Sequence, residues 1–324
     1  MIPWRGGRGP VGIRQGVRLL PALRDVIRRI KPDLIQAGPI QRSAFLVALT
    51  GFRRLVSMSW GYDLLVDAHR NALWRWATRF TLKHSAALVG DCDTIRQLAI
   101  SHGMLDRRMI TFPWGIDLRH FSPQPEDHPA ESHYDDASTF TILSTRGWEP
   151  IYGVDVIARA FVQAAEQCPE LHLVMLGNGS QATELRQIFA RGGVEERVTF
   201  PGQVRYADLP RYYWMADLYV SASHSDGTSI SLLEAMACGR PVLVSDIPGN
   251  REWVTLDENG WLFPDGQVDA LKQAILNAAG NREKLPKMSR AARAVTEKRA
   301  DWDKNFPQLL KAYDIALDIQ PSAL

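Results

Sequence analysis

The sequence predicts an α/β protein built from parallel sheets in two domains. Three observations lead there. Its 324 residues suit two domains, since one domain typically takes about 100–200 residues. Short apolar runs alternate with longer stretches of helical periodicity, the pattern of strand–helix–strand units. A polar, acidic, proline-bearing stretch, QPEDHPAESHYDDAS at 124–138, separates two such halves. The expected division is a first domain at 1–125, a linker at 126–138, a second domain at 139–300 and a terminal helix at 301–324.

The elements before the linker follow in order. Apolar residues recur at helical spacing over 13–30, and the pattern stops at Lys31-Pro32. Asp33-Leu-Ile-Gln-Ala reads as a buried strand, 42–50 as a short helix and Leu55-Val-Ser-Met-Ser as the next strand. A long basic helix is predicted over 67–84, then a strand at Ala86-Ala-Leu-Val-Gly, a helix over 93–102 and a strand at Met109-Ile-Thr-Phe. Four strands are fewer than a doubly wound domain usually has. The first domain is therefore expected to be incomplete on its N-terminal side, with Arg5-Gly6-Gly7-Arg8-Gly9 as a remnant.

After the linker the alternation is complete. Strands are predicted at Phe140-Thr-Ile-Leu-Ser, His172-Leu-Val-Met-Leu-Gly, Val198-Thr-Phe, Leu218-Tyr-Val-Ser-Ala and Pro241-Val-Leu-Val-Ser. Helices are predicted over 154–167, 181–191, 207–215 and 229–238, with a helical tail from 268 onward.

Composition bounds the function. Hydrophobic residues at 45% and charged residues at 23% describe an ordinary globular chain and exclude disorder or a fibrous repeat. The longest apolar stretch, 44–50, is far short of the ~20 residues of a membrane helix. The opening Met1-Ile-Pro-Trp-Arg-Gly-Gly does not read as a secretory signal. Cys92, Cys168 and Cys238 are too few and scattered for a disulfide framework or a zinc site, so a cytoplasmic setting is expected. Up to Pro125 there are 19 Lys and Arg against 8 Asp and Glu, a balance of +11, and the remainder balances at −9. The basic half suits an anionic partner: a phosphorylated substrate or an anionic membrane surface. No recognition motif accompanies it that would indicate nucleic acid. Arg70, Trp74, Arg75, Trp76, Arg79 and Lys83 share one predicted helix, a pattern that fits either a core aromatic stripe or a membrane surface.

The stretch Ser223-His-Ser-Asp226-Gly227-Thr228-Ser229-Ile230-Ser231-Leu232-Leu233-Glu234 is the most informative. A strand ends, a polar loop follows, and a helix starts near Ser229. First-turn amides lack internal partners and the helix dipole is positive there, so the turn can cradle a diphosphate. Gly227 allows close approach to the backbone. Asp226 precedes the helix and Glu234 lies inside it, eight residues on, so the two carboxylates can serve different parts of one ligand. Asp226 as a helix cap and Glu234 as a structural ion pair is the competing reading.

This stretch resembles the acid–seven residues–acid signature of the retaining GT-B glycosyltransferases, family 4, with the Leu-Glu-Ala-Met-Ala-Cys-Gly-x-Pro-Val that follows matched at 233–242. Other landmarks fall in order: Pro113-Trp114-Gly115-Ile116-Asp117 with Phe121, Leu173-Val-Met-Leu-Gly177-Asn-Gly179, Phe200-Pro-Gly202-Gln-Val, and Asn259-Gly260-Trp-Leu-Phe. The resemblance implies two Rossmann-like doubly wound domains facing a cleft. It implies transfer of a sugar from a nucleotide-diphosphate donor to a hydroxyl of a glycan or lipid-linked acceptor. Anomeric configuration would be retained, with no metal and no cofactor beyond the donor substrate. Glu234 would hold ribose and Asp226 the donor sugar. Arg146, with Gly227, Thr228, Ser229 and Ile230, would bind diphosphate.

Three departures stand out. The family's Lys six residues after Arg146 is Tyr152 here, a phenol that can donate one hydrogen bond to the diphosphate. Its first acid is Glu, and Asp226 is one methylene shorter. Where a His often follows an N-domain strand, this chain has Ser59-Trp60-Gly61-Tyr62-Asp63. Trp60 could stack on an acceptor sugar, and Asp63 could orient or deprotonate an acceptor hydroxyl; a core Trp and a structural Asp are the competing reading. The alternatives are a sugar-nucleotide epimerase of GT-B architecture, for which no clear acid–base set is visible, and a non-catalytic nucleotide-sugar-binding module.

Overall fold

A computed structural model describes residues 13–125 and 138–318, with the side chains of 13–18 not described. The expected linker, except its last residue, and the N-terminal glycine-rich stretch thus fall outside the described residues. The chain divides into two compact units: Met1–Pro113 with Asn305–Leu324, and Trp114–Lys304.

The first unit holds a parallel sheet of four strands in chain order, β1 (Ile35–Ala37), β2 (Leu55–Met58), β3 (Ala87–Gly90) and β4 (Met109–Thr111). β2 and β3 are apolar and almost wholly buried, as strands covered on both faces must be. The single helix predicted over 67–84 is broken. Tyr62–Leu65 and Asp67–His69 form separate turns, and the long helix begins at Ala72 because Asn71 caps it, its Oδ1 accepting the Trp74 amide at 3.0 Å. Asn305 onward joins this unit: the Asn305 side chain donates to the Pro113 carbonyl at 2.9 Å, and Tyr313 hydrogen-bonds Gln36.

The second unit holds six parallel strands, β5 (Phe140–Ser144), β6 (Leu171–Leu176), β7 (Val198–Gly202), β8 (Leu218–Ser221), β9 (Val242–Ser245) and β10 (Gly260–Phe263). Their order is β10-β9-β8-β5-β6-β7. Taken in chain order this is the 3-2-1-4-5-6 arrangement of doubly wound sheets. The sequence pattern missed β10, a short strand that begins on glycine and pairs in register with β9 from Gly260 and Val242 to Phe263 and Ser245. The chain runs one way from β5 to β6 and returns on the other side at β8, so β5 and β8 are neighbours at the switch point.

Residues 114–125, which the sequence reading placed with the first domain, pack in the second unit. Phe121 is fully buried among Leu143, Tyr213 and Tyr219. Trp214 Nε1 donates to the Ser122 carbonyl at 2.7 Å, and Arg293 donates to the Phe121 carbonyl at 2.8 Å. An aromatic ring at 121 is thus a core residue whose burial ties the segment down.

Gly153 opens the helix Val154–Ala165 directly behind β8. Its φ is +57°, and a Cβ there would lie 2.1 Å from the Ala222 carbonyl oxygen. Left-handed backbone and a backbone clash both exclude a side chain. Gly153→Ala should lower stability by more than about 1 kcal/mol, seen as a reduced thermal-unfolding midpoint; an unchanged midpoint would show that the helix and β8 can separate freely.

Candidate active site

The site forms where the two switch-point strands end. β5 delivers Thr145 and Arg146; β8 delivers the loop 222–229 and the helix Ile230–Ala237. In doubly wound sheets ligands bind outside the carboxyl ends of the strands at this point.

Arg146 is the hub. Its Nη2 donates to Asp226 Oδ2 at 2.7 Å, and its Nη1 donates to Ser229 Oγ at 2.9 Å and Ser231 Oγ at 3.1 Å. The Arg146 and Asp226 side chains are only 11% and 19% exposed, so this is not the loose surface pair that contributes little. Arg146 Nε is buried with no partner among the described residues. Burial raises the Asp226 carboxyl above its ordinary range, against the lowering effects of Arg146, the Gly227 amide and Ser229.

Counting donors and acceptors orders the protons. Ser231 Oγ accepts from Arg146 and from Tyr219 Oη at 2.8 Å, so its own proton turns to Ser229 Oγ, 3.2 Å away. Ser229 already accepts from Arg146, and its proton is left for Asp226. Every hydroxyl in this row therefore points toward the carboxylate. Ser229 occupies the N-cap position of the helix without capping it through its side chain, because that side chain is engaged with Arg146. Asp226 is likewise an ion-pair partner and not the helix cap.

The Tyr152 ring lies against the Arg146 guanidinium, 4.1 Å from centroid to Cζ, a cation–π contact that the sequence reading did not foresee. Thr228 and Ser229 are buried, while the Ile230 side chain is 38% exposed. The loop is fixed from behind by Gly249: a Cβ there would meet the Gly227 and Asp226 carbonyl oxygens at 2.2 and 2.6 Å.

Glu234 is 7% exposed. Burial pushes its carboxyl up to about 7, while the Tyr213 hydroxyl and Arg146 act to lower it. Tyr213 Oη donates to Glu234 Oε2 at 2.8 Å. The sequence reading missed Tyr213, Tyr219, Ser231 and Thr145. A tyrosine in the buried strand β8 was the available signal, since a buried phenol needs a partner.

In the first unit the structure corrects the assignment of Asp63. The residue is 2% exposed. Its Oδ2 accepts the Ile40 amide at 2.9 Å, and its Oδ1 accepts the Ser59 hydroxyl at 2.7 Å and the Trp60 amide at 3.1 Å. Both oxygens are engaged in tying the β2 loop to the turn at 40, so Asp63 acts as an anchor and not as a base for an acceptor. Burial still raises its carboxyl. Trp60, which Asp63 holds by its amide, is 62% exposed.

Residues 124–295, more than half of the chain, match the family described as glycosyl transferases group 1. The chain belongs to that family. It is 23% identical over 308 residues to the GDP-mannose-dependent monoacylated alpha-(1-6)-phosphatidylinositol monomannoside mannosyltransferase of Corynebacterium glutamicum, a match covering 87% of this chain and 76% of that protein. It is 32% identical over 125 residues to the GtfA subunit of the UDP-N-acetylglucosamine–peptide N-acetylglucosaminyltransferase of Streptococcus pneumoniae, covering 37% of this chain and 24% of that one. The chain therefore spans about a quarter of the streptococcal relative and three quarters of the corynebacterial one. Among solved structures, Anabaena HepE in complex with UDP-glucose aligns with a TM-score of 0.80 at 23% identity, covering 91% of this chain and 82% of that one. The fold is thus that of the GT-B glycosyltransferases, and the site described above lies within the family segment.

Replacing Tyr152 separates its ring from its hydroxyl. Tyr152→Phe should keep nucleoside diphosphate affinity within about twofold, and Tyr152→Ala should lower it several-fold, as a lost contact of about 0.5–2 kcal/mol implies. Calorimetric titration decides; a Phe variant as weak as the Ala variant would return the role to the phenol.

Proposed function

We propose that this glycosyl transferase moves a hexosyl group from a nucleoside diphosphate donor to a hydroxyl of a glycan or lipid-linked acceptor, with retention at the anomeric carbon, as a family 4 enzyme. The observation that carries the reading is the arrangement at the switch point: Arg146 set among Asp226, Ser229 and Ser231 at the start of the Ile230–Ala237 helix, with Glu234 one turn inside it. The naming of the corynebacterial relative as GDP-mannose-dependent and the UDP-glucose bound by HepE support the donor class.

In this reading Arg146 and the first-turn amides meet the charge of the diphosphate, and no metal is required. Asp226 contacts the transferring sugar, and Glu234 accepts hydrogen bonds from the ribose hydroxyls. The bond from the anomeric carbon to the β-phosphate oxygen breaks, the acceptor oxygen joins the same face, and the acceptor proton passes to the leaving phosphate oxygen. Trp60 offers an exposed aromatic face on which an acceptor sugar can stack.

The paired test is nucleotide affinity and transfer rate in the same variants. Arg146→Ala should weaken UDP or GDP binding about ten- to a hundredfold, the value of one or two charge-assisted contacts. Glu234→Gln should weaken the free nucleotide and the donor alike. Asp226→Asn should slow transfer yet bind nucleotide at least as tightly as the parent, because phosphate no longer competes with a carboxylate for Arg146. Unchanged nucleotide affinity in the Arg146 and Glu234 variants would overturn the reading.

The working place we propose is the cytoplasm, against the inner face of an anionic membrane. The helix Ala72–His84 exposes Leu73 and Trp76 at 51% and 50%, beside Arg75, Arg79 and Lys83, which are also exposed. An apolar stripe next to a basic one suits a lipid headgroup layer. No helix among the described residues is long and apolar enough to cross a membrane. Flotation should carry the protein up with anionic vesicles and release it in salt; equal recovery with neutral vesicles, or none with either, would refute the docking.

A further inference from the structure

Glu234 does not stand alone at its place in the helix. The fully buried Tyr213 donates to its Oε2 at 2.8 Å. That bond uses the single phenolic proton, so the Thr145 hydroxyl, 3.2 Å from Tyr213 Oη, must be the donor in that contact. Thr145 adjoins Arg146 in the chain. A line of hydroxyls therefore links the residue that holds diphosphate to the residue that holds ribose.

We infer that Tyr213 is a positioning residue for nucleotide binding: its hydroxyl fixes one oxygen of Glu234, leaving the other for the ribose, and keeps Glu234 available as an acceptor. This rests on the assignment of Glu234 to ribose under the proposed function. The chemistry supports it. A carboxylate accepts two hydroxyl donors better than a carboxylic acid, which spends a proton as a donor itself. Burial favours the acid form, and the Tyr213 hydrogen bond favours the ionised one. The other groups facing Glu234 among the described residues are Tyr206, Tyr219 and Cys238, all neutral near pH 7, and Arg146, the cation that acts on it, while Arg293 bonds the Ala237 carbonyl at the far end of the helix. Arg146 is already paired with Asp226, so Tyr213 is the direct partner.

The sign follows. With its carboxyl at about 7, Glu234 ionises as pH rises through neutrality, so nucleotide affinity should rise over the same interval. Removing the Tyr213 hydroxyl takes away a lowering contact and moves that rise to higher pH. Tyr213→Phe keeps the ring and its packing against Phe121 and Tyr219.

The test is calorimetric titration of the parent, Tyr213→Phe, Thr145→Val and Glu234→Gln with UDP and with GDP, between about pH 6 and pH 9. If the carboxyl moves by about one pH unit, Tyr213→Phe binds about fivefold more weakly at pH 7 and within about twofold of the parent at pH 9. Thr145→Val, which loosens the Tyr213 hydroxyl, shifts the profile the same way by less, and it supplies the answer if the Phe variant does not fold. The titration of the phosphate is common to all variants and cancels. A loss equal at every pH, or a profile unmoved in both variants, overturns the inference. An affinity unchanged in Glu234→Gln instead overturns the ribose assignment itself, whatever Tyr213 does.

Discussion

The site depends on one buried charge. Arg146 reaches the end of β5 with almost no exposure, and a guanidinium in that setting needs partners or it destabilises the fold. Asp226 supplies the opposite charge, Ser229 and Ser231 accept two further hydrogens, and the Tyr152 ring covers the cationic plane. The loop after β8 is shaped by these demands, and Gly249 behind it leaves no room for another path. Under the proposed function an entering diphosphate would take over contacts that satisfy the arginine, so ligand recognition and structural integrity would share the same residues.

Strand order makes the arrangement possible. Arg146 and Asp226 are 80 residues apart, yet β5 and β8 are hydrogen-bonded neighbours because the winding reverses between them. A sheet wound in one direction only would separate their ends by the width of intervening strands, about 4.8 Å each. The Ala222 carbonyl pressed against Gly153 shows how closely the helix after β5 rides on β8. Packing at that contact sets the spacing of the two loops, so a core glycine outside the site helps to hold its geometry.

Much of this was legible in the sequence, for physical reasons that differ by element. Buried parallel strands are short, apolar and bounded by turns, so β2, β3, β5, β6, β8 and β9 stand out. β10 does not, because it starts on glycine. The break before Ala72 hides in a run of helix formers, and Asn71 is the single residue that marks it. Asp226 and Glu234 could be singled out because the loop–helix pattern has its own local logic, and Arg146 only through its place in a family motif. The partners of Glu234 were not, since Tyr213 lies 21 residues upstream in a stretch whose periodicity speaks only of packing. Side-chain hydrogen bonds between distant elements leave no local trace.

Asp63 shows the same limit from the other side. An acid beside a tryptophan in a loop after a strand has the residue types of a binding site, and local sequence carries no information on which way the carboxylate turns. Here it turns inward to meet the Ile40, Trp60 and Leu64 amides and the Ser59 hydroxyl. Four donors to one buried carboxylate is a structural bargain: the loop gains a fixed shape, and the acid gives up its availability to a ligand. What the loop then presents is Trp60, exposed and held by its own amide. The two units use their acids differently. In the first, the carboxylate is consumed in fixing an aromatic surface. In the second, Asp226 is held by Arg146, the Gly227 amide and Ser229, and Glu234 by the Tyr213 hydroxyl.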